Sequence, residues 1–177
     1  RQHVDVQGST LTFEFRGKSG VRHSVDVNDR RLARIVKQCR DLPGQELFQY
    51  VDDDGAQQDV TSSDVNAYLK EITGEDFSAK DFRTWAGTVL ALVALRDFAP
   101  AESTTQARKN VLRAIETVAG MLGNTRAVCR KSYIHPAVID AYIDGSMFET
   151  LGRRGGSSVR KGAMKLRDEE TMTLLLL

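Results

Sequence analysis

Apolar and polar residues alternate through the first 27 positions of the chain, in three short runs that glycines separate. A period of two is typical of β-strands with one buried face, so the pattern predicts three short antiparallel strands. Residues 17–20 supply the tight turn of the second hairpin, because glycine readily adopts positive φ. Lys18 is then placed at the hairpin tip. The alternating apolar residues are Val4, Val6, Leu11, Phe13, Phe15, Val21, Val25 and Val27.

From residue 28 onward the apolar spacing becomes helical, and cap and stop signals divide this part of the chain into five helices. The third is apolar on most sides, as expected of a buried central helix. The predicted bounds are Asn28 or Asp29 to Pro43-Gly44, Ser62 or Ser63 onward, Ser78 to about Phe98, Ser103 to Gly123, and Pro136 to about Gly145. The apolar faces predicted for the first four are Leu32, Ile35, Val36, Val65, Tyr68, Leu69, Ile72, Phe82, Trp85, Val89, Leu92, Val93, Leu95, Val111, Leu112, Ile115, Val118 and Leu122.

The predicted fold class is mainly α with a small antiparallel β-sheet at the N-terminal edge, an α+β arrangement. The 177 residues have room for one ordinary domain with a short appendage. We assign residues 1–150 to that domain, with β-hairpins over 1–27 and mostly helices over 28–150. Residues 151–177 are predicted to form a basic, Gly- and Ser-containing tail, either disordered or in contact with DNA phosphates. The bases of this tail are Arg153, Arg154, Arg160, Lys161, Lys165 and Arg167.

Charge is nearly balanced over the whole chain but uneven along it. Lys and Arg total 25 against 24 Asp and Glu, so composition neither demands nor excludes a polyanionic partner. Residues 41–80 contain ten acids and two bases, whereas residues 105–135 contain six bases and one acid. Clustered cations favour phosphates through counterion release, which predicts an anion-binding face around residues 124–133. A solvated helix face explains the same charges equally well.

The sequence disfavours a membrane span, a disulfide framework and several kinds of ligand site. The longest purely apolar runs, 89–95 and 174–177, are far shorter than the roughly 20 residues of a membrane span. Cys39 and Cys129 lie far apart with no second Cys or His at ligand spacing, which disfavours a disulfide framework or a zinc site. The acidic turn at 52–55 lacks the glutamate of a calcium loop, and no glycine-rich phosphate loop is present. We therefore expect no metal, no cofactor, no membrane partner and a reducing compartment.

Four short segments carry candidate chemistry: FRGKSG at 15–20, KDFRTW at 80–85, GNT at 123–125 and RKSYIHP at 130–136. In this order they resemble the catalytic domain of type IB DNA topoisomerases of the poxvirus and bacterial kind, from about His3 to Gly145. The resemblance implies a mainly helical domain with a small β-sheet at one edge. It also implies relaxation of supercoiled DNA through a 3′-phosphotyrosyl intermediate, strand rotation and religation, without ATP or metal.

Cleavage of a phosphodiester needs a nucleophile, cations on the non-bridging oxygens and a proton for the leaving oxygen. Tyrosine, with a reference pKa of about 10, is a poor nucleophile unless cations surround it. Tyr133 follows Arg130 and Lys131, and the resemblance implies that it attacks phosphorus. The alternative for Tyr133 is a core tyrosine with a hydrogen-bonded hydroxyl.

The guanidinium of Arg83 can bind two phosphate oxygens in a fork geometry that lysine cannot reproduce. The resemblance makes it one of two catalytic arginines, and the alternative is a surface ion pair with Asp81 or a nearby acid. The resemblance also implies that Lys18 is the general acid that protonates the leaving 5′ oxygen. The alternative for Lys18 is a solvated lysine in a turn. Asn124 would donate to a non-bridging oxygen, cap a helix, or both.

Four further cations are predicted DNA-binding residues, since clustered positive charge binds phosphates. The resemblance places one of them, a lysine in the first turn of the third helix, near the DNA phosphate. Double-stranded DNA is the expected partner, the chain is expected to be a monomer, and a bacterial source would place it in the cytoplasm with the nucleoid. The four are Lys80, Arg126, Arg130 and Lys131.

The chain departs from the family pattern at its start. The family has a second catalytic arginine in a helix before the first strand and a smaller N-terminal clamp domain, and neither is found in this sequence. We therefore expect a fragment of a longer protein. Two other functions stay open, a tyrosine recombinase and a non-catalytic DNA-binding module. Lys80 and Thr84 favour the topoisomerase over the recombinase.

Overall fold

The N-terminal sheet contains the three antiparallel strands that the alternation predicts: β1 (Val4–Gln7), β2 (Thr10–Arg16) and β3 (Arg22–Asn28), in the order β1-β2-β3. The computed structural model describes residues 2–17, 20, 22–42, 44–154 and 168–177. Val4 pairs with Phe13 and Leu11 pairs with Val27 in the register of the sheet. The second hairpin closes beyond the pair Arg16 and Arg22, and Lys18 lies outside the described residues.

Helix α1 (Arg30–Asp41) begins at Asp29, whose carboxylate accepts the N–H groups of residues 31 and 32. Its buried residues are Ala33 and Val36, which complete a small core with Val4 and Leu11. The predicted stripe is therefore wrong at two positions, because Leu32 and Ile35 are exposed. The alanine, having a short side chain, lets the helix lie close to the sheet, and this rotates the larger apolar residues outward.

A short hairpin and a second helix follow. Strands β4 (Gln49–Val51) and β5 (Gln57–Asp59) pair across the acidic turn, and α2 comes after them (Ser62–Thr73). The cap of α2 is Thr61 rather than Ser62 or Ser63, because Asp64 at the third helical position completes a reciprocal capping box with Thr61. No residue of α2 is buried, so its predicted apolar face is uncovered in the described structure.

The remaining helices form the larger core. They are α3 (Ala79–Arg96), α4 (Thr104–Leu122), α5 (Arg126–Ser132), α6 (Pro136–Ile143), α7 (Ser146–Arg154) and α8 (Asp168–Leu176). Ser78 and Ser103 begin α3 and α4, and Gly123 ends α4 at φ 65°, as predicted. Leu112 and Phe82 are exposed, contrary to the predicted inward faces. This mainly helical architecture with small antiparallel sheets near the N-terminus confirms the predicted fold class.

The described residues form two compact units, Arg1–Asp76 and Phe77–Leu177. The larger core, in the second unit, contains sixteen buried side chains among the described residues, and the smaller core, in the first unit, contains four. The division falls inside the segment 1–150 that the sequence treats as one domain. Each unit therefore has an apolar core of its own.

The last helix belongs to the second unit, within the segment predicted as a tail. The indole Nε1 of Trp85 donates to Glu170 at 3.3 Å, and Thr173 is fully buried. Apolar residues of α8 such as Met172 pack against the larger core. This packing removes from water the apolar face of α8, which a free tail would leave exposed. Residues 155–167, with four of the predicted tail bases, lie outside the described residues. Within the described chain, no helix has the length and hydropathy of a membrane span.

A polar network joins α4 and α6 to the turn that follows α3 in the second unit. The amide nitrogen of Asn110 donates to the Tyr142 hydroxyl at 2.7 Å, and that hydroxyl donates to the Ala99 carbonyl at 2.9 Å. Asn110 is 4% exposed and Tyr142 is 2% exposed. Ala99 has φ 59°, a left-handed conformation that is costly for a residue with a Cβ. The Tyr142 hydroxyl therefore holds a strained turn in place after α3.

Replacing Tyr142 with phenylalanine is expected to lower the free energy of unfolding by about 1–3 kcal/mol, because the buried Asn110 amide loses its acceptor and the Ala99 carbonyl loses its donor. Urea unfolding followed by far-UV circular dichroism measures the change. Tyr68→Phe is the matched control, since Tyr68 is 60% exposed. Equal stability of the two variants would show that the network contributes nothing.

Candidate active site

The end of α4 and the start of α5 position Asn124. Gly123 adopts the left-handed conformation, and the backbone N–H of Asn124 donates to the Ala119 carbonyl at 2.9 Å. Thr125 then begins α5, and its hydroxyl accepts the N–H of Val128. The predicted capping role of Asn124 is therefore realised at the end of α4, not at the start of α5. Its side-chain amide donates to the Leu122 carbonyl at 3.0 Å.

Tyr133 lies at the C-terminal end of α5, where its backbone N–H donates to the Cys129 carbonyl at 2.9 Å. Its side chain is half-buried. The guanidinium carbon of Arg83 lies over the Tyr133 ring, 5.1 Å from the ring centroid, within the range of a cation–π contact. A permanent positive charge therefore lies beside the side chain predicted to be the nucleophile.

Arg83 and Asn124 meet at a single carbonyl oxygen. Nη2 of Arg83 donates to the Leu122 carbonyl at 2.7 Å, and the Asn124 amide donates to the same oxygen. Because the last carbonyls of a helix have no partner within it, these donors satisfy the end of α4. A guanidinium has five N–H donors, so this bond still leaves donors for a phosphate.

The alternative role for Arg83, an ion pair with Asp81, is not found. The Asp81 carboxylate accepts the hydroxyl and backbone N–H of Ser78, and these hydrogen bonds lower the pKa of Asp81. No salt bridge involves Arg83 among the described residues. The guanidinium is therefore directed to Tyr133 and to the end of α4.

The predicted DNA-binding cations are all exposed, in α3 and α5 of the second unit. Arg130 and Lys131 lie in the last turn of α5, where the helix dipole favours positive charge. Arg126 lies 3.9 Å from Glu116, an exposed pair that contributes little. The structure thus brings Tyr133, Arg83 and Asn124 together, and it does not describe Lys18.

Cys129 is fully buried one helical turn before Tyr133. Burial raises the pKa of this thiol, and the charge of Arg83 acts in the opposite direction. The group therefore stays a neutral thiol at pH 7 and does not compete with Tyr133 as a nucleophile.

Sequence reasoning missed three residues that touch the backbone around Tyr133. Thr84, Gly87 and Thr88 lie on one face of α3, and each contacts the segment 132–135. The sequence signal that could have indicated these contacts is the run of small and polar residues on one face of α3, a helix that is otherwise mostly apolar.

Comparison with known proteins identifies the family. Residues 1–149 match the family described as eukaryotic DNA topoisomerase I, catalytic core. The chain belongs to the type IB DNA topoisomerases. DNA topoisomerase 1B of Acanthamoeba polyphaga mimivirus is 31% identical over 156 residues, which cover 84% of this chain and 46% of that protein. The chain therefore spans about half the length of this relative.

The type IB topoisomerase match contains every residue predicted for the site, from Lys18 to Tyr133. It confirms the family resemblance that the four motifs indicate. Among the described residues, no group of three or more His, Cys, Asp or Glu is placed to hold a metal ion.

Proposed function

We propose that this chain relaxes supercoiled duplex DNA by cutting and rejoining one strand through Tyr133. The observation that carries the proposal is the position of the Arg83 guanidinium over the Tyr133 ring, next to the amide of Asn124. Together these residues offer a nucleophile and two kinds of hydrogen-bond donor, one of them charged, for the non-bridging oxygens of a phosphate. Membership in the topoisomerase family supports the same reaction.

In the proposed reaction the Tyr133 oxygen, having lost its proton to solvent, attacks the phosphorus. A bond forms between that oxygen and phosphorus, and the bond from phosphorus to the 5′ oxygen breaks. Arg83 and Asn124 donate hydrogen bonds to the non-bridging oxygens, where negative charge builds up. Lys18 gives its proton to the departing 5′ oxygen. The free duplex end then swivels, and the 5′ hydroxyl attacks the phosphotyrosine to restore the strand.

The duplex is proposed to lie against the exposed cations of α3 and α5, since cations displace counterions from phosphates. Lys80, Arg126, Arg130 and Lys131 are the proposed contacts, and their exposure supports this assignment. The proposed working unit is a monomer. In a bacterium, its location would be the nucleoid in the cytoplasm.

Negatively supercoiled plasmid, incubated with excess chain in EDTA and without ATP, is expected to relax through a ladder of topoisomers. The reason is that one broken strand lets the duplex rotate while the phosphotyrosine conserves the energy of the bond. Agarose electrophoresis resolves the ladder, and a parallel reaction with Mg²⁺ tests the expected metal independence. A recombinase would instead exchange strands only between paired sites. DNA binding without relaxation or a covalent adduct would contradict the proposal and indicate a binding module.

A further inference from the structure

One face of α3 contacts the main chain on both sides of Tyr133. The Thr84 hydroxyl lies 3.3 Å from the Ser132 carbonyl oxygen, just before the tyrosine. The backbone N–H of His135 donates to the Thr88 hydroxyl at 3.1 Å, just after it. Thr84 and Thr88 are one helical turn apart, so together they bracket the segment that carries the nucleophile.

Between these two contacts the helix approaches the Tyr133 carbonyl itself. A Cβ added at Gly87 would overlap the Tyr133 carbonyl oxygen. Gly87 has an ordinary helical conformation, so the glycine is needed for space and not for φ. The close approach leaves little room for the Tyr133 backbone to move toward α3.

Thr88 contacts the segment after Tyr133 from a buried position in α3. The residue is 2% exposed, and its hydroxyl proton is directed to the Thr84 carbonyl at 2.8 Å. A hydroxyl has one proton, so its lone pair is what receives the His135 N–H. The Tyr133 carbonyl oxygen lies 3.5 Å from the same hydroxyl. The side chain therefore connects the α3 backbone to the turn that follows the nucleophile.

Arg83 lies on the same helix, one turn before Gly87. Contacts that hold the Tyr133 backbone against α3 therefore also limit the distance between the Tyr133 ring and the Arg83 guanidinium. Reaction rates depend steeply on this kind of alignment, and a misplacement of about 1 Å can cost about 10²-fold.

We propose that Thr88 is a positioning residue for Tyr133, holding the nucleophile in register with Arg83 through the backbone of His135. The inference rests on the proposed function, because it concerns the cleavage step at Tyr133. Thr88 touches no DNA atom in this scheme. Its effect reaches the reaction only through the main chain of residues 133–135.

The test compares Thr88→Val, Thr88→Ser and the unaltered chain in single-turnover cleavage. The substrate is a random-sequence pool of 5′-labelled nicked duplexes that release a short 5′-hydroxyl fragment. Thr88→Val is expected to slow formation of the adduct by between about tenfold and 10²-fold, with the Kd for DNA unchanged. Thr88→Ser keeps the hydroxyl and is expected to restore most of the rate. A structural defect alone would not produce this split between rate and affinity.

Thr173→Val is the matched control, because Thr173 is also a fully buried helical threonine. Its hydroxyl donates to the Glu169 carbonyl at 2.8 Å, the same bond to the fourth preceding residue. The control is expected to change stability but not the cleavage rate. If Thr88→Val fails to fold, Thr88→Ala replaces it, since it removes the hydroxyl without adding a methyl group beside His135.

Amide hydrogen exchange at His135 gives a second readout that needs no DNA. Exchange is expected to accelerate in Thr88→Val and to stay at the original rate in Thr88→Ser and Thr173→Val. Unchanged exchange at His135, or equal slowing of cleavage in the valine and serine variants, would overturn the inference. Absence of an adduct from the unaltered chain would instead contradict the proposed function, while the exchange result would still decide the role of Thr88.

Discussion

Replacing Tyr133 with phenylalanine is expected to abolish the covalent protein–DNA adduct and to leave the affinity for duplex DNA unchanged. Phenylalanine keeps the ring that lies under the Arg83 guanidinium, so the packing of the site is preserved. What is lost is the oxygen that is proposed to form the bond to phosphorus. The buried Cys129 cannot replace it, because its thiol has a raised pKa and is enclosed.

The adduct is measured on a denaturing gel in EDTA with the nicked duplex described above. Tyr68→Phe serves as the matched control, since Tyr68 lies in α2 of the first unit and is exposed. The control is expected to form adduct at the original rate. An adduct that persists in the Tyr133 variant would assign the nucleophile to another residue.

Replacing Arg83 with lysine is expected to lower the single-turnover cleavage rate by about 10²–10³-fold, the usual cost of removing one donor that stabilises developing charge. Arg83 donates to the Leu122 carbonyl while it lies over the Tyr133 ring, and the planar fork allows both contacts together. A lysine ammonium keeps the charge but lacks the plane and the paired donors. We therefore expect Arg83→Lys to keep the affinity for DNA but not the rate of cleavage.

Arg96→Lys is the matched control, because Arg96 lies in the last turn of the same helix, where its Nε is 3.8 Å from the carboxylate of Asp97. Its cleavage rate is expected to stay within about twofold of the original. An Arg83→Lys variant that cleaves as fast as the unaltered chain would show that charge alone suffices. That result would also remove the argument for a bidentate phosphate contact.

The elements of the fold were largely predictable where local chemistry decides them. The strands followed from the alternation of apolar and polar residues, and Asp29 and Ser103 identified helix starts because their side chains accept orphan backbone N–H groups. Ser78 identified a third start, where the Asp81 carboxylate accepts the Ser78 N–H. Faces were less predictable. Leu32 and Ile35 turn outward because the packing of Ala33 on the sheet sets the rotation of α1, and periodicity cannot choose between adjacent faces.

The candidate site was also predictable only in part. Tyr133, Arg83 and Asn124 could be named from the motifs through the family resemblance, and the structure places them together. The contacts of Gly87 and Thr88 could not be named, because their partners lie about 45 residues away in sequence and become neighbours only when α3 packs in the core. The role of Lys18 stays a prediction, as do the DNA contacts.

The unequal cores of the two units have a consequence for how the molecule fails under stress. Regions with few buried apolar side chains open at lower free energy than regions with many, so the first unit is expected to melt before the second. The hairpin of Lys18 belongs to the first unit, and Tyr133 belongs to the second. In the proposed mechanism, a partly melted chain that has already cut its DNA would keep the phosphotyrosine bond and lose Lys18, which in the reverse step would take the proton from the attacking 5′ hydroxyl. Mild heating would then convert a reversible break into a lasting protein–DNA lesion.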